Sequence, residues 1–254
     1  MNVIRLAAIA LCAALLTSCH GERSGKVDPA DYDAFFLWAG VRAQPVLNRA
    51  KVLYVLAGEL RHDDPGRMVP LRAIPHVLTA EVWLTIRVER LDWQQTAYDQ
   101  VLRALSEWES AGNRLAGLQI DFDAATQGLD GYALFLSDLR RRLPARYRLS
   151  VTGLMDWSAH GDPAALAKLA GVVDELVMQT YQGRQTIPGY RAYFSRIAQL
   201  PLPYKVALVQ GGEWTTPPQL ASDPQFRGYV VFLVNPQRRD GAFHQAKQLA
   251  GWPR

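Results

Sequence analysis

Leu118-Gln119-Ile120-Asp121-Phe122-Asp123 begins as a buried β-strand and ends in acid. Branched and aromatic side chains suit a pleated, packed surface. A period of two puts Gln119, Asp121 and Asp123 on one face and Leu118, Ile120 and Phe122 on the other. Carboxylates on an inward strand face are costly to desolvate unless they are paired, hydrogen-bonded or needed for chemistry. An ion pair with a neighbouring strand, through Arg87, would satisfy that condition. A catalytic or binding role is the favoured reading, because two acids and an amide share one edge.

Outward from this strand the chain alternates. Before it, a helix over about 93–111 carries Val101, Leu102, Leu105 and Trp108 at helical spacing. After it, a helix over about 131–143 carries Tyr132, Phe135, Leu136, Leu139 and Leu143 and stops at Pro144. Further strands are predicted at 34–38, 51–56 and 81–88, then at 148–154, 175–181, 204–210 and 228–235. Helices are predicted near 163–170, 190–198 and 241–249. Eight strands with crossover helices predict an α/β fold, a single-domain (β/α)8 TIM barrel rather than an open sheet. The connection over about 61–79 is Pro-rich and irregular, so one helix between strands two and three is expected to be degraded.

The N-terminus reads as a targeting segment. A short positive start at Arg5 precedes an apolar run from Leu6 to Leu16, too short to span a bilayer comfortably. Leu16-Thr17-Ser18-Cys19 resembles the bacterial lipobox, which implies a signal peptide over 1–18, a lipidated Cys19 with a flexible tether to residue 31, and a barrel domain over 32–254. The alternative is an ordinary secretory peptide with an incidental cysteine. Several acyl chains, each adding about 0.8 kcal/mol per buried CH₂, would anchor the chain firmly. His20 after the cysteine, by resemblance to Gram-negative lipoproteins, points to the outer membrane, facing the periplasm of the cell envelope.

The two cysteines, Cys12 and Cys19, both belong to this segment, so the mature domain has no disulfide and no cysteine metal site. A hydrophobic content of 49% is ample for one core. The net charge of +4 is too small to argue for nucleic acid as a partner. Arg140-Arg141-Arg142, at the end of a helix, first reads as cations complementing the helix dipole. A surface for anionic lipid or polysaccharide is the alternative reading.

In barrels of this type the active site lies at the C-terminal strand ends. The residues there are Trp38, Glu59, Arg87 or Glu89, Asp121 with Gln119 and Asp123, Asp156 with Trp157, Gln179 with Tyr181, Gln210 with Glu213 and Trp214, and Asn235. Aromatic faces stack on the apolar C–H surfaces of sugar rings, while amides and carboxylates bind hydroxyls, so this mixture suits a carbohydrate cleft. Each member also has a plainer reading as rim packing or a solvated side chain.

Ala116-Gly117-Leu118-Gln119-Ile120-Asp121-Phe122-Asp123 resembles the fourth-strand signature of chitinase-like family-eighteen glycoside hydrolases, an acid-Gly-x-acid-x-acid-aromatic-Glu series. Met178-Gln179-Thr180-Tyr181 is similar to the sixth-strand Met-x-Tyr element of that superfamily. The whole mature chain also resembles bacterial proteins grouped as domain of unknown function 3142. The first resemblance implies Asp123 as general acid, Asp121 orienting and polarising an acetamido group, Tyr181 supporting a developing oxazolinium ion, and Gln179 on the same floor. The chain departs from that pattern: Asp123 replaces the terminal Glu with a carboxyl one methylene shorter, and Ala116 and Gln119 replace the first two acids.

A glycosidase needs one protonated carboxyl at the leaving oxygen and a second group that stabilises positive charge at the anomeric carbon. Two Cα atoms two residues apart on a strand are about 6.6 Å apart. Mutual repulsion at that range raises one pKa, which would leave Asp123 protonated and Asp121 ionised. No Gly-x-Ser-x-Gly elbow, phosphate loop or nucleotide motif is present, and Gly211-Gly212 reads as a turn before an anion site. His62, His76, His160 and His244 lack close ligand spacing, so neither a metal nor another cofactor is expected. The expected function is therefore a lipid-anchored envelope glycoside hydrolase acting on a polysaccharide. Polymers containing N-acetylhexosamine, such as peptidoglycan or an exported polymer, are the candidates. The alternative is a non-catalytic glycan-binding or envelope-assembly lipoprotein.

Overall fold

The acidic strand runs from Arg114 to Asp121 in the computed structural model, which describes residues 24–195 and 200–236. It is the fourth of eight parallel strands: β1 (Ala34–Leu37), β2 (Val52–Leu60), β3 (Glu81–Val88), β4 (Arg114–Asp121), β5 (Arg148–Leu154), β6 (Glu175–Gln179), β7 (Tyr204–Val209) and β8 (Phe226–Phe232). Each pairs with the next, and β8 returns to β1 with Val231 opposite Phe35 and Phe232 opposite Phe36. The ring is a closed (β/α)8 barrel, as the alternation of strands and helices predicts.

Side-chain alternation divides the core in two. Outward residues such as Leu53, Leu84, Leu118, Ile120 and Leu149 join a cluster with the helices. Helix α1 (Gln95–Ser110) contributes Val101, Leu105 and Trp108, and α2 (Leu129–Arg142) contributes Tyr132, Leu136 and Leu139. Inward residues, among them Phe36, Tyr54, Trp83, Val177, Ala207 and Val230, fill the barrel itself. Two short helices follow β5: α3 (Asp156–His160) and α4 (Pro163–Ala170). The start of α4 is set by Asp162, whose carboxylate accepts from Ala165 N at 3.2 Å, and by Pro163 in the first helical position.

No helix links β2 to β3. Residues Met68–Pro70 instead form an antiparallel strand on Gly58–Leu60. β1 pairs with β2 only as far as Val55, so the longer strand has a free edge there that the hairpin covers. Helix α5 (Tyr190–Tyr193) is shorter than the predicted span, whose last residues lie outside the described chain. The signal segment, Cys19, His244 and the predicted helix over 241–249 also lie outside the described residues.

One boundary needs correction. The tether was expected to extend to residue 31, yet Ser24–Lys26 pairs antiparallel with Glu213–Thr215. Val27 is buried and exchanges backbone hydrogen bonds of 2.9 Å with Gly211 and Gly212. An apolar side chain and a free strand edge are enough to dock the segment. Gly211, at φ 79, makes the turn that presents this edge, in agreement with the turn reading of Gly211-Gly212.

The basic cluster is neutralised locally. Arg141 and Arg142 each bond Asp138 at 2.8 Å, Arg140 pairs with Asp174 at 3.2 Å, and Arg146 pairs with Glu109 at 3.1 Å. These contacts leave little uncompensated charge for an anionic surface.

Candidate active site

Eight parallel strands bring their C-terminal ends to one rim, and there a cavity of about 400 Å³ opens. That volume lies in the range of small-molecule sites. Asp121 is the last residue of β4 and its side chain enters the cavity with those of Asp123, Arg87 and Thr152. Thr152 Oγ1 donates to Asp121 Oδ1 at 2.9 Å. Burial pushes the Asp121 carboxyl from 3.8 up to about 6, and the neighbouring Asp123 adds to the rise; the Thr152 bond and Arg87 oppose it. Asp123 lies two residues on, exposed at the mouth. Phe122 between them turns outward against Tyr132, with ring centroids 5.2 Å apart, so the predicted alternation persists past the end of the strand.

The sequence reading gives the raised pKa to Asp123, whereas in the structure burial raises that of Asp121. Like-charge repulsion raises one of the pair, but desolvation decides which, and the deeper carboxyl loses more water.

An aromatic wall faces the cavity from β8, β1 and the segment after β6. Phe36 and Phe232 each meet Trp38 at 5.3 Å, and Phe232 meets Tyr181 at 5.2 Å. Burial, followed by the Asp121 and Asp123 carboxyls, pushes the Tyr181 hydroxyl well above its ordinary value, which keeps it protonated. Gln179 lines the floor and donates to the Tyr181 carbonyl at 2.8 Å. It thereby braces the start of a hairpin, Tyr181–Gln182 paired with Gln185–Thr186, whose Gln182 and Gly183 overhang the cavity. Arg72 donates to the Trp38 carbonyl at 3.0 Å and holds that end of the wall.

Asp121, Asp123, Tyr181, Trp38, Arg87 and Gln179 thus meet in one cavity. The other expected site residues do not line it. Gln119 is fully buried beneath it, accepting from Thr85 at 3.1 Å and donating to Ser150 at 3.2 Å. An inward amide midway along a strand finds partners on both neighbours before it can reach the rim. Glu59 pairs with Arg61. Asp156 is exposed in the first turn of α3. Gln210 exchanges amide bonds of 3.0 Å with Gln44, and Asn235 ties down the chain at Gly40 and Arg42. Glu213 sits in the strand that holds the N-terminal segment, and Trp214 stacks on Tyr190 at 4.4 Å in the outer core. These positions belong to loops and short strands, whose direction a strand-end count does not give.

Thr152, Phe36 and Phe232 were missed. A period-two count on β1, β5 and β8 would have turned them inward beside the acids. The overhanging Gln182 and Gly183 carry no such signal. Below the site, Tyr54 donates to Glu175 at 2.6 Å, Lys205 pairs with Glu175 at 3.1 Å, and Ser150 donates to Glu175 at 3.3 Å, which seals the N-terminal end of the barrel with a satisfied polar network. Among the described residues no group of three or more His, Cys, Asp or Glu side chains could hold a metal ion.

A family model, Domain of unknown function (DUF3142), matches residues 75–209, more than half of the chain and the span from just before β3 to the end of β7. The chain belongs to the DUF3142 family. No curated protein is similar enough in sequence to count as a match. Among solved structures, this DUF3142 chain is similar to the spore cortex-lytic enzyme SleL of Bacillus cereus, with 18% identity and a TM-score of 0.50, over 69% of this chain and 49% of that one. It therefore spans about half the length of that enzyme. It is also similar to the chitinase domain of the spore coat protein CotE of Clostridium difficile, with 15% identity and a TM-score of 0.50, over 82% of this chain and 73% of that one. Both similarities are to the barrel fold.

Proposed function

We propose that this DUF3142 protein is a glycoside hydrolase that acts on a polysaccharide containing N-acetylhexosamine. The observation that carries the reading is the pairing of a half-buried Asp121, its pKa raised to about 6, with the open Asp123 in a cavity walled by aromatic rings. Such a wall holds a sugar ring by its C–H face and leaves the bond to the next sugar beside the acids. Asp121, with a carboxyl poised near pH 6, is the proton donor to the leaving oxygen, and Asp123 is the second group at the anomeric carbon. This exchanges the roles that the sequence resemblance assigns to the two. Tyr181, a protonated hydroxyl close to both acids, supports the charge that develops on the sugar or on its acetamido group.

The test is mass spectrometry of soluble products after incubating the full-length chain with envelope polysaccharides, beside Asp121→Asn and Asp123→Asn. New oligosaccharides from the wild type, lost in both variants, support the assignment. Products that persist in Asp121→Asn rule it out as the donor. A second reading, a glycan-binding or envelope-assembly protein, is favoured by the short Asp at position 123. It is supported if the wild type binds those polymers without releasing fragments.

For location, we propose anchoring through a lipidated Cys19 in the outer membrane, facing the periplasm, on the strength of Leu16-Thr17-Ser18-Cys19. Incorporation of labelled palmitate that is abolished by Cys19→Ala would support it; a label that survives would exclude it.

A further inference from the structure

Arg87 stands on the cavity wall, and the chemistry proposed above gives it no task. Its Cα is the register partner of Asp121, so two opposite charges leave adjacent strands into the same space. Asp121 nevertheless turns to its other neighbour, accepting from Thr152 at 2.9 Å. Among the described residues no carboxylate oxygen lies within 4.0 Å of the Arg87 guanidinium. Arginines nearby in the chain are engaged: Arg61 with Glu59, Arg90 with Asp92 at 2.7 Å, and Arg148 with Glu81 at 2.7 Å. The Arg87 side chain is exposed to the cavity, with five donors in a planar fork that fits a carboxylate through two parallel hydrogen bonds.

We propose that Arg87 forms the subsite for a carboxylate borne by a sugar ring, so that the substrate is an acidic rather than a neutral glycan. This rests on the glycan reading of the cavity and adds the charge of its ligand. A carboxylate of this kind comes either from a uronic acid ring or from an acidic ether on an N-acetylhexosamine. Both present the same two oxygens to the arginine fork, and the Trp38 and Phe232 rings accept the sugar face that accompanies them.

Calorimetric titration of the full-length chain in detergent tests it. The probes are a tetrauronate, a tetrasaccharide of alternating N-acetylglucosamine and N-acetylmuramic acid, and the carboxyl-reduced neutral form of each. At least one acidic probe should bind about tenfold or more tighter than its own reduced form, the range of a charge-assisted bidentate contact. That ratio should fall to about one in Arg87→Gln and survive in part in Arg87→Lys, which keeps the charge without the fork. The probe that shows the preference identifies the source of the carboxylate. Equal binding of acidic and reduced forms overturns the inference and leaves the glycan reading standing, as does an acid preference that persists in Arg87→Gln. If none of the probes binds, both readings fall together.

Discussion

Replacing Asp121 with Asn removes a carboxyl that the fold keeps from water and leaves a side chain of nearly the same shape, still able to accept from Thr152. The carboxyl pKa rises from 3.8 to about 6 on folding, chiefly through burial. That is about two pKa units at about 1.4 kcal/mol each, or about 3 kcal/mol between the two protonation states. Between those pKa values the folded chain binds more protons than the unfolded chain, so stability falls as pH rises. The contribution is complete below pH 3.8 and lost as pH climbs through about 6. Asp121→Asn and the wild type should therefore have similar unfolding free energies near pH 4, while near pH 8 the variant should be more stable by about 3 kcal/mol. Urea unfolding of both chains across that range measures the difference, and titrating groups remote from Asp121 cancel between them. A difference that does not change with pH, or a wild type that gains on the variant at high pH, would refute the claim that folding raises the Asp121 pKa.

Three further outcomes follow from the same geometry. Thr152→Val removes a hydrogen bond that favours the Asp121 carboxylate, so its pKa should rise further by about one unit, visible by NMR titration of the carboxyl carbon or in the pH profile of any activity. Lys205→Met removes the cation paired with the enclosed Glu175 at the barrel base and should cost about 3–5 kcal/mol in urea unfolding; adding Glu175→Gln should recover roughly half or more of that. A Cβ at Gly117 would run into the backbone of Arg148 on the paired strand. Gly117→Ala should therefore destabilise by about 3 kcal/mol or more, read as a lower thermal midpoint, and an unchanged midpoint would mean that β4 and β5 can part at no cost.

Gly117 also shows how much of the fourth-strand motif is architecture. The glycine is needed where β4 and β5 approach, Leu118 and Ile120 pack on the helices, and Gln119 joins a buried chain of hydrogen bonds from Thr85 to Glu175. Of the acid and amide positions read along that edge, Asp121 and Asp123 alone reach the cavity.

The order of strands and helices was legible in the residues, because hydrophobic periodicity and turn chemistry are local. The period of two separated the Asp121 face from the Ile120 face, and the helix predicted near 163–170 is α4 at Pro163–Ala170. The strand-end rule also brought Trp38, Arg87, Gln179 and Tyr181 to the right rim, since every β-strand in such a barrel points the same way. Other features depended on contacts between residues far apart in sequence. Whether Glu213, Trp214 and Asn235 faced the cavity was set by which neighbours captured them: the N-terminal strand, the Tyr190 ring and the loop at Gly40. That burial raises the Asp121 pKa was likewise beyond the sequence, because desolvation depends on the depth of the carboxyl below the rim. The sequence by itself determined the barrel and the pair of acids; only the tertiary structure decided that Asp121 turns to Thr152, has its pKa raised by burial and leaves Arg87 facing the cavity, because those outcomes depend on three strands meeting in space.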